Sequence, residues 1–64
     1  MRVNGVSIPL GGEKTLLQYL QENQYDPSKI AVERNGKIIP KREYEATLLQ
    51  SEDQLEIVQF VGGG

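Results

Sequence analysis

Residues 55–61 read Leu55-Glu56-Ile57-Val58-Gln59-Phe60-Val61, and this stretch decides the fold because apolar side chains fall on both faces of an extended strand. Alternation places Leu55 and Ile57 on one face and Val58 and Phe60 on the other. A strand with apolar groups on both faces is typical of the middle of a sheet. The segment therefore predicts a central strand.

The first eight residues predict a hairpin that can flank this strand. Asn4-Gly5 is the preferred two-residue type I′ turn, and it lies between short apolar runs. In that register Val3 faces Val6 and Met1 faces Ile8, so these four side chains share one face of the sheet. The turn and the apolar pattern thus indicate the same pairing.

One helix is expected after the first hairpin. Residues 15–18, Thr-Leu-Leu-Gln, match a capping box in which the Thr15 hydroxyl and the Gln18 side chain satisfy free amides at a helix start. The apolar stripe of Leu16, Leu17 and Leu20 is interpreted as core. The helix should end near Asn23, and residues 25–28 should form a turn because they contain a proline.

A second Asn-Gly turn, at residues 35–36, predicts another hairpin in which Val32 pairs with Ile39 and Glu33 pairs with Ile38. The proline that follows limits the second strand to an edge or to a very short length. Residues 41–49 are ambiguous between a short helical turn and a loop. Residues 51–54 are a polar turn in which Glu52 and Asp53 are interpreted as solvated.

These elements predict an α+β fold with the order ββαββ and a final strand. If the last strand lies beside the first and parallel to it, the result is the β-grasp arrangement of ubiquitin, a mixed sheet of four to five strands with one main helix packed on one face. We predict a β-grasp domain over residues 1–61 and a flexible tail over 62–64. The predicted interior comprises Val3, Ile8, Leu16, Leu20, Val32, Ile39, Leu55 and Ile57, and Tyr19, Tyr25 and Tyr44 are predicted to pack with their hydroxyls in water.

The composition disfavours an enzyme. A chain of 64 residues is too short to enclose a deep cleft, and it has no cysteine and no histidine, so the usual nucleophile, base and zinc ligands are absent. The net charge of −2 disfavours nucleic acid and anionic membranes and favours a basic protein surface as partner. Without an apolar span or a signal peptide, we expect a cytoplasmic protein that is monomeric when free.

The chain resembles the sulfur carrier proteins of bacterial thiamine biosynthesis, which are ubiquitin-like. The resemblance covers the early turn at residues 4–5, the capped helix, the stretch 32–40 and the ending 55–64, which finishes on Gly62-Gly63-Gly64. It implies that a ubiquitin-activating-like adenylyltransferase uses ATP to adenylate the terminal carboxylate of Gly64. Sulfur from a cysteine desulfurase then gives a thiocarboxylate, which a thiazole synthase consumes. The carrier itself is expected to bind no cofactor and no metal.

The terminus also makes chemical sense from its residues alone. An α-carboxyl has a pKa of about 3.5, so at pH 7 Gly64 ends in a stabilised anion that needs activation before it can react. Glycine has no Cβ, so Gly62 and Gly63 can thread a narrow channel toward a buried nucleotide. A frayed terminus is the plainer interpretation, but three glycines at the end are rare by chance.

A second candidate site lies on the sheet face that the helix does not cover. Val58 and Phe60 fall on that face, and Ile38 from the second hairpin joins them. An exposed apolar patch of this kind often binds a partner. The equally weighted alternative is that residues 41–49 fold over these side chains and bury them.

Three other functions stay open at this stage. The first is a sulfur carrier for molybdopterin, cysteine or tRNA thiolation, although molybdopterin carriers are expected to be longer. The second is a ubiquitin-like modifier whose carboxylate ends in an isopeptide bond to a lysine. The third is a plain interaction module whose tail is inert.

Overall fold

A computed structural model describes residues 1–60. It has five strands, β1 (Arg2–Val3), β2 (Val6–Ser7), β3 (Ile30–Arg34), β4 (Lys37–Ile38) and β5 (Gln54–Gln59), and one α-helix, α1 (Leu16–Glu22). Two 3-10 helices span Pro27–Lys29 and Lys41–Glu43. The predicted tail residues Gly62, Gly63 and Gly64 lie outside the described residues, so the predicted division at residue 61 stays a prediction.

The strands form one mixed sheet in the order β2-β1-β5-β3-β4, with β5 at its centre. β5 runs parallel to β1 and antiparallel to β3. This is the predicted β-grasp arrangement, and it confirms that the last strand is central. Within residues 1–60 no helix has the length and apolar character needed to cross a membrane.

Both Asn-Gly turns form as predicted. Asn4 and Asn35 have φ values of 51° and 53°, and the glycines that follow them also have positive φ, as a type I′ turn requires. The predicted pairs Val3 with Val6 and Glu33 with Ile38 are present. The second hairpin ends in a two-residue edge strand, as expected before a proline.

The asparagine side chains of these turns also hold the central strand, which the sequence analysis did not predict. The Asn4 amide donates to the Ile57 carbonyl at 3.1 Å, and its oxygen accepts from the Ile57 amide at 2.7 Å. The Asn35 side-chain oxygen accepts from the Gln54 amide at 3.0 Å. Each hairpin turn is therefore fastened to β5 by a side chain as well as by strand pairing.

Helix α1 begins at the predicted capping box. The Gln18 amide donates to the Thr15 hydroxyl at 3.1 Å, and the Thr15 amide donates to the Gln18 side chain at 2.8 Å. The helix ends at Glu22, with Asn23 as its C-cap. Leu16 and Leu20 are fully buried against the sheet, and Leu17 is half-buried at the edge of the core.

Residues 41–49 complete the core from the helix side of the sheet. After the short 3-10 helix, Tyr44 and Leu49 insert into the core, and Leu48 bridges to Thr15. Of the predicted interior, Ile8 and Ile39 are only half-buried, because they lie at the margins of the two hairpins. The buried core comprises Val3, Leu16, Tyr19, Leu20, Ile30, Val32, Tyr44, Leu49, Leu55 and Ile57.

The prediction that Asp53 is solvated is wrong. Its side chain is buried, with one carboxylate oxygen 2.9 Å from Arg34 Nε and 2.8 Å from the Gln50 amide, while the other accepts from Asn35 at 3.1 Å. Burial by itself would raise the pKa of the Asp53 carboxyl, but the hydrogen bonds from Gln50, Asn35 and Arg34 outweigh it and hold the pKa below its usual range. Asp53 is therefore a structural anchor of the second hairpin.

Candidate functional site

The open face, which α1 does not cover, carries the predicted partner-binding side chains. Val58 is 57% exposed, Phe60 is 56% exposed and Ile38 is 72% exposed. Residues 41–49 pack on the opposite side, so the alternative that they bury Val58 and Phe60 is excluded. The predicted exposed patch exists, and its role in binding stays a prediction.

Strand register gives the layout of this face. Val58 lies opposite Ala31, and Glu56 lies opposite Glu33, which in turn lies opposite Ile38. Val58 and Phe60 therefore form an apolar area at the end of β5, next to the point where the chain continues toward Gly64. Ile38 shares the face but is two strands away from Val58, so it belongs to the edge of the patch.

The end of β5 is hydrogen-bonded to the 3-10 helix that precedes β3. The Phe60 amide donates to the Lys29 carbonyl at 2.8 Å, which extends the pairing of β5 and β3 past the last strand residue. A small hollow of about 190 Å³ lies beside Phe60. It is lined by Gln24, Asp26, Lys29, Ile30, Gln59 and Phe60.

Asp26, in the wall of this hollow, is locked by its own turn. Its carboxylate accepts from the Ser28 hydroxyl at 2.7 Å and from the Ser28 amide at 2.9 Å. These hydrogen bonds hold the pKa of the Asp26 carboxyl below its usual range. The sequence predicted a turn here but not the hollow, because its lining residues come from two stretches of chain that are distant in sequence, 24–30 and 59–60.

Among residues 1–60 no group of three or more histidine, cysteine, aspartate or glutamate side chains could hold a metal ion. The one buried carboxylate named above, Asp53, is engaged by Arg34 and Asn35. The predicted partner-binding side chains of these residues lie on the open face.

Comparison with known proteins assigns the chain to a family. The family model named ThiS matches residues 1–64. The chain belongs to the ThiS family. The sulfur carrier protein ThiS of Bacillus subtilis is 42% identical over 50 residues, which cover 78% of this chain and 76% of that protein.

A solved ThiS structure shows the same fold. The crystal structure of the thiamine biosynthesis protein ThiS from Geobacter metallireducens matches with a TM-score of 0.80 and 27% identity, over 98% of this chain and 96% of that one. A thiazole synthase of Paramagnetospirillum magneticum is 40% identical over 62 residues. These cover 97% of this chain, which spans only 19% of that relative's length.

Proposed function

We propose that the chain is a sulfur carrier for thiazole formation in thiamine biosynthesis, with its Gly64 carboxylate as the reacting group. Membership of the ThiS family supports the assignment, as does the similarity to a protein named as a sulfur carrier. A thiazole synthase that contains a stretch similar to nearly this whole chain supports a thiazole synthase as partner. The carrier acts as a co-substrate and the catalysis belongs to its partners.

The proposed chemistry has two steps. In the first, an adenylyltransferase of the ubiquitin-activating type directs a Gly64 carboxylate oxygen to the α-phosphate of ATP, and pyrophosphate leaves. In the second, a persulfide formed by a cysteine desulfurase attacks the acyl carbon and displaces AMP, and a thiol then reduces the resulting acyl disulfide and releases the thiocarboxylate. Activation is needed because a carboxylate is a poor electrophile, and the AMP ester supplies the leaving group.

The observation that carries this proposal is the exposure of Val58 and Phe60, which precede Gly64 by only six and four residues in the sequence. Four residues follow Phe60, and at the maximum extension of the backbone they reach roughly 14 Å. An enzyme that holds the Gly64 carboxylate at its nucleotide must therefore contact the carrier close to Phe60. Exposed apolar side chains at this place supply the contact area that such docking needs.

Changing the length of the tail tests the reacting group. One alanine added after Gly64 moves the carboxylate by about 3.5 Å and puts a peptide bond where the reacting carbon should be, so adenylation should be abolished. Deleting Gly64 should have the same effect. Gly63→Ala should reduce activity strongly, and Gly62→Ala should be tolerated better because it lies farther from the reaction.

The measurement is ATP–pyrophosphate exchange with the adenylyltransferase, followed by the intact mass after a sulfur source is added. The wild-type chain should gain the mass difference of one oxygen replaced by sulfur, and thermal unfolding should be unchanged in all four variants. Exchange at the wild-type rate by the alanine-extended chain would show that Gly64 does not react. An adduct on protein lysines would identify a protein modifier instead.

A further inference from the structure

Two carboxylates face each other on the open face without a partner. Glu33 and Glu56 are directly opposite in the antiparallel pairing of β3 and β5, where Cβ atoms lie about 5 Å apart. Both are exposed, and within residues 1–60 neither side chain makes an ion pair or a hydrogen bond. Like charges opposite each other destabilise a sheet.

Arg2, a cation on the same face, is already engaged by a hydrogen bond. Register places Arg2 opposite Gln54 on the open face, two residues from Glu56 along β5. However, Arg2 Nη2 donates to the Gly5 carbonyl at 2.7 Å, within its own hairpin turn. Within residues 1–60, therefore, no cation pairs with Glu33 or Glu56.

The surroundings of the pair have the shape and polarity of a recess for a basic side chain. A hollow of about 460 Å³ opens over it, lined by Glu33, Asn35, Gly36, Gln54 and Glu56. Along β5 the next residue on this face after Glu56 is Val58, followed by Phe60. Acidic groups and the apolar area thus form one continuous surface that leads toward the tail.

We propose that the open face accepts a basic side chain of the activating enzyme, an arginine or lysine held between Glu33 and Glu56, while Val58 and Phe60 pack against apolar groups beside it. This inference rests on the proposed function, because the enzyme that holds Gly64 is the partner that must cover this face. The net charge of −2 and the unpaired carboxylates call for a positive partner surface. The free carrier keeps a destabilising pair that the complex relieves.

Charge-neutral variants separate the effect of the acidic pair on stability from its effect on binding. In Glu33→Gln and Glu56→Gln the repulsion is lost, so the melting temperature of the free carrier should rise by roughly 1 to 3 °C. The KM for the carrier in ATP–pyrophosphate exchange should rise roughly three- to tenfold, with kcat unchanged. Stability and recognition should therefore change in opposite senses, which a purely structural role would not produce.

The matched control is Glu45→Gln, which removes the same charge from an exposed residue outside the sheet. Its KM should equal that of the wild type. Added NaCl should raise the wild-type KM more steeply than that of the Glu33→Gln, Glu56→Gln double variant, because screening weakens a charge contact that only the wild type makes.

The possible outcomes test this inference separately from the proposed function. If the wild-type chain supports exchange but the KM of the double variant is unchanged, or Glu45→Gln raises KM equally, the acidic pair has no specific role and the inference is overturned. If the wild-type chain supports no exchange at all, the proposed function is overturned together with this inference.

Discussion

The two faces of β5 differ in exposure although both carry apolar side chains. On the face that α1 covers, Leu55 and Ile57 are buried, whereas on the open face Val58 and Phe60 are more than half exposed. The carboxylates follow the same division, since Asp53 beside the covered core accepts three hydrogen bonds and Glu56 on the open face has no partner within residues 1–60. One strand thus packs one set of side chains into the core and leaves the other set exposed.

The largest expected effect on the free energy of unfolding comes from truncating Ile57 on the covered face. Its neighbour Val58, on the open face, provides the comparison. Ile57→Ala should lower the free energy of unfolding by about 2 to 5 kcal/mol, because it leaves a cavity in a small core. Val58→Ala, one residue along the strand, should lower it by less than about 0.5 kcal/mol. Urea denaturation of both variants measures the contrast, and equal losses would mean that the open face is also part of the core.

Local signals in the sequence predicted most of the covered face. The two Asn-Gly turns fixed the register of both hairpins, and the capping box at Thr15 fixed the start of the helix, because each depends on residues within four positions of one another. Apolar side chains on both faces of residues 55–61 predicted that β5 lies at the centre of the sheet. In each case local preference and the global fold agree.

Long-range contacts account for what the sequence did not predict. Asp53 stands in a run of polar residues and was interpreted as solvated, because its partners Arg34 and Asn35 are 19 and 18 positions away. Leu49 reaches the core as an isolated apolar residue with no periodicity to reveal it. Whether Val58 and Phe60 were covered depended on the path of residues 41–49, so the sequence could identify the candidate patch but not its exposure.

Replacing the Asp53 carboxylate, which lies beside the covered core, should have a smaller effect on the free energy of unfolding. Asp53→Asn should lower the free energy of unfolding by about 1 to 3 kcal/mol at pH 7, because hydrogen bonds to a charged acceptor are replaced by weaker ones. The folded-state pKa of Asp53 is lowered, so its contribution is present above the unfolded-state pKa of about 3.9 and is lost as pH falls through the folded value.

The measurement is chemical denaturation of wild type and Asp53→Asn between pH 7 and the acid limit of folding. The difference between the two should stay constant down to about pH 5 and then shrink. Asp26 also has a lowered pKa, but it is present in both chains and cancels in the difference. A difference that grows toward low pH would mean that the Asp53 carboxylate does not stabilise the folded state.

The smallest effect on stability is expected at Phe60, where the largest effect on binding should appear. Phe60→Ser removes a side chain that is 56% exposed, so the melting temperature should hardly change. Under the proposed function, the residue lies where the activating enzyme must touch the carrier to reach Gly64, and aromatic side chains at the centre of an interface contribute more than most contacts. The KM in ATP–pyrophosphate exchange should therefore rise roughly tenfold or more.

Val6→Ser is the matched control, because Val6 is exposed to the same extent but lies on edge strand β2, with its register partner Val3 in the covered core. If exposure alone decided the effect on KM, the two substitutions would change KM equally. Docking at the end of β5 instead predicts a raised KM for Phe60→Ser only. A steep fall in the melting temperature of Phe60→Ser would place this side chain in the core. A KM that both variants leave unchanged would mean that the activating enzyme does not dock on the open face at Phe60.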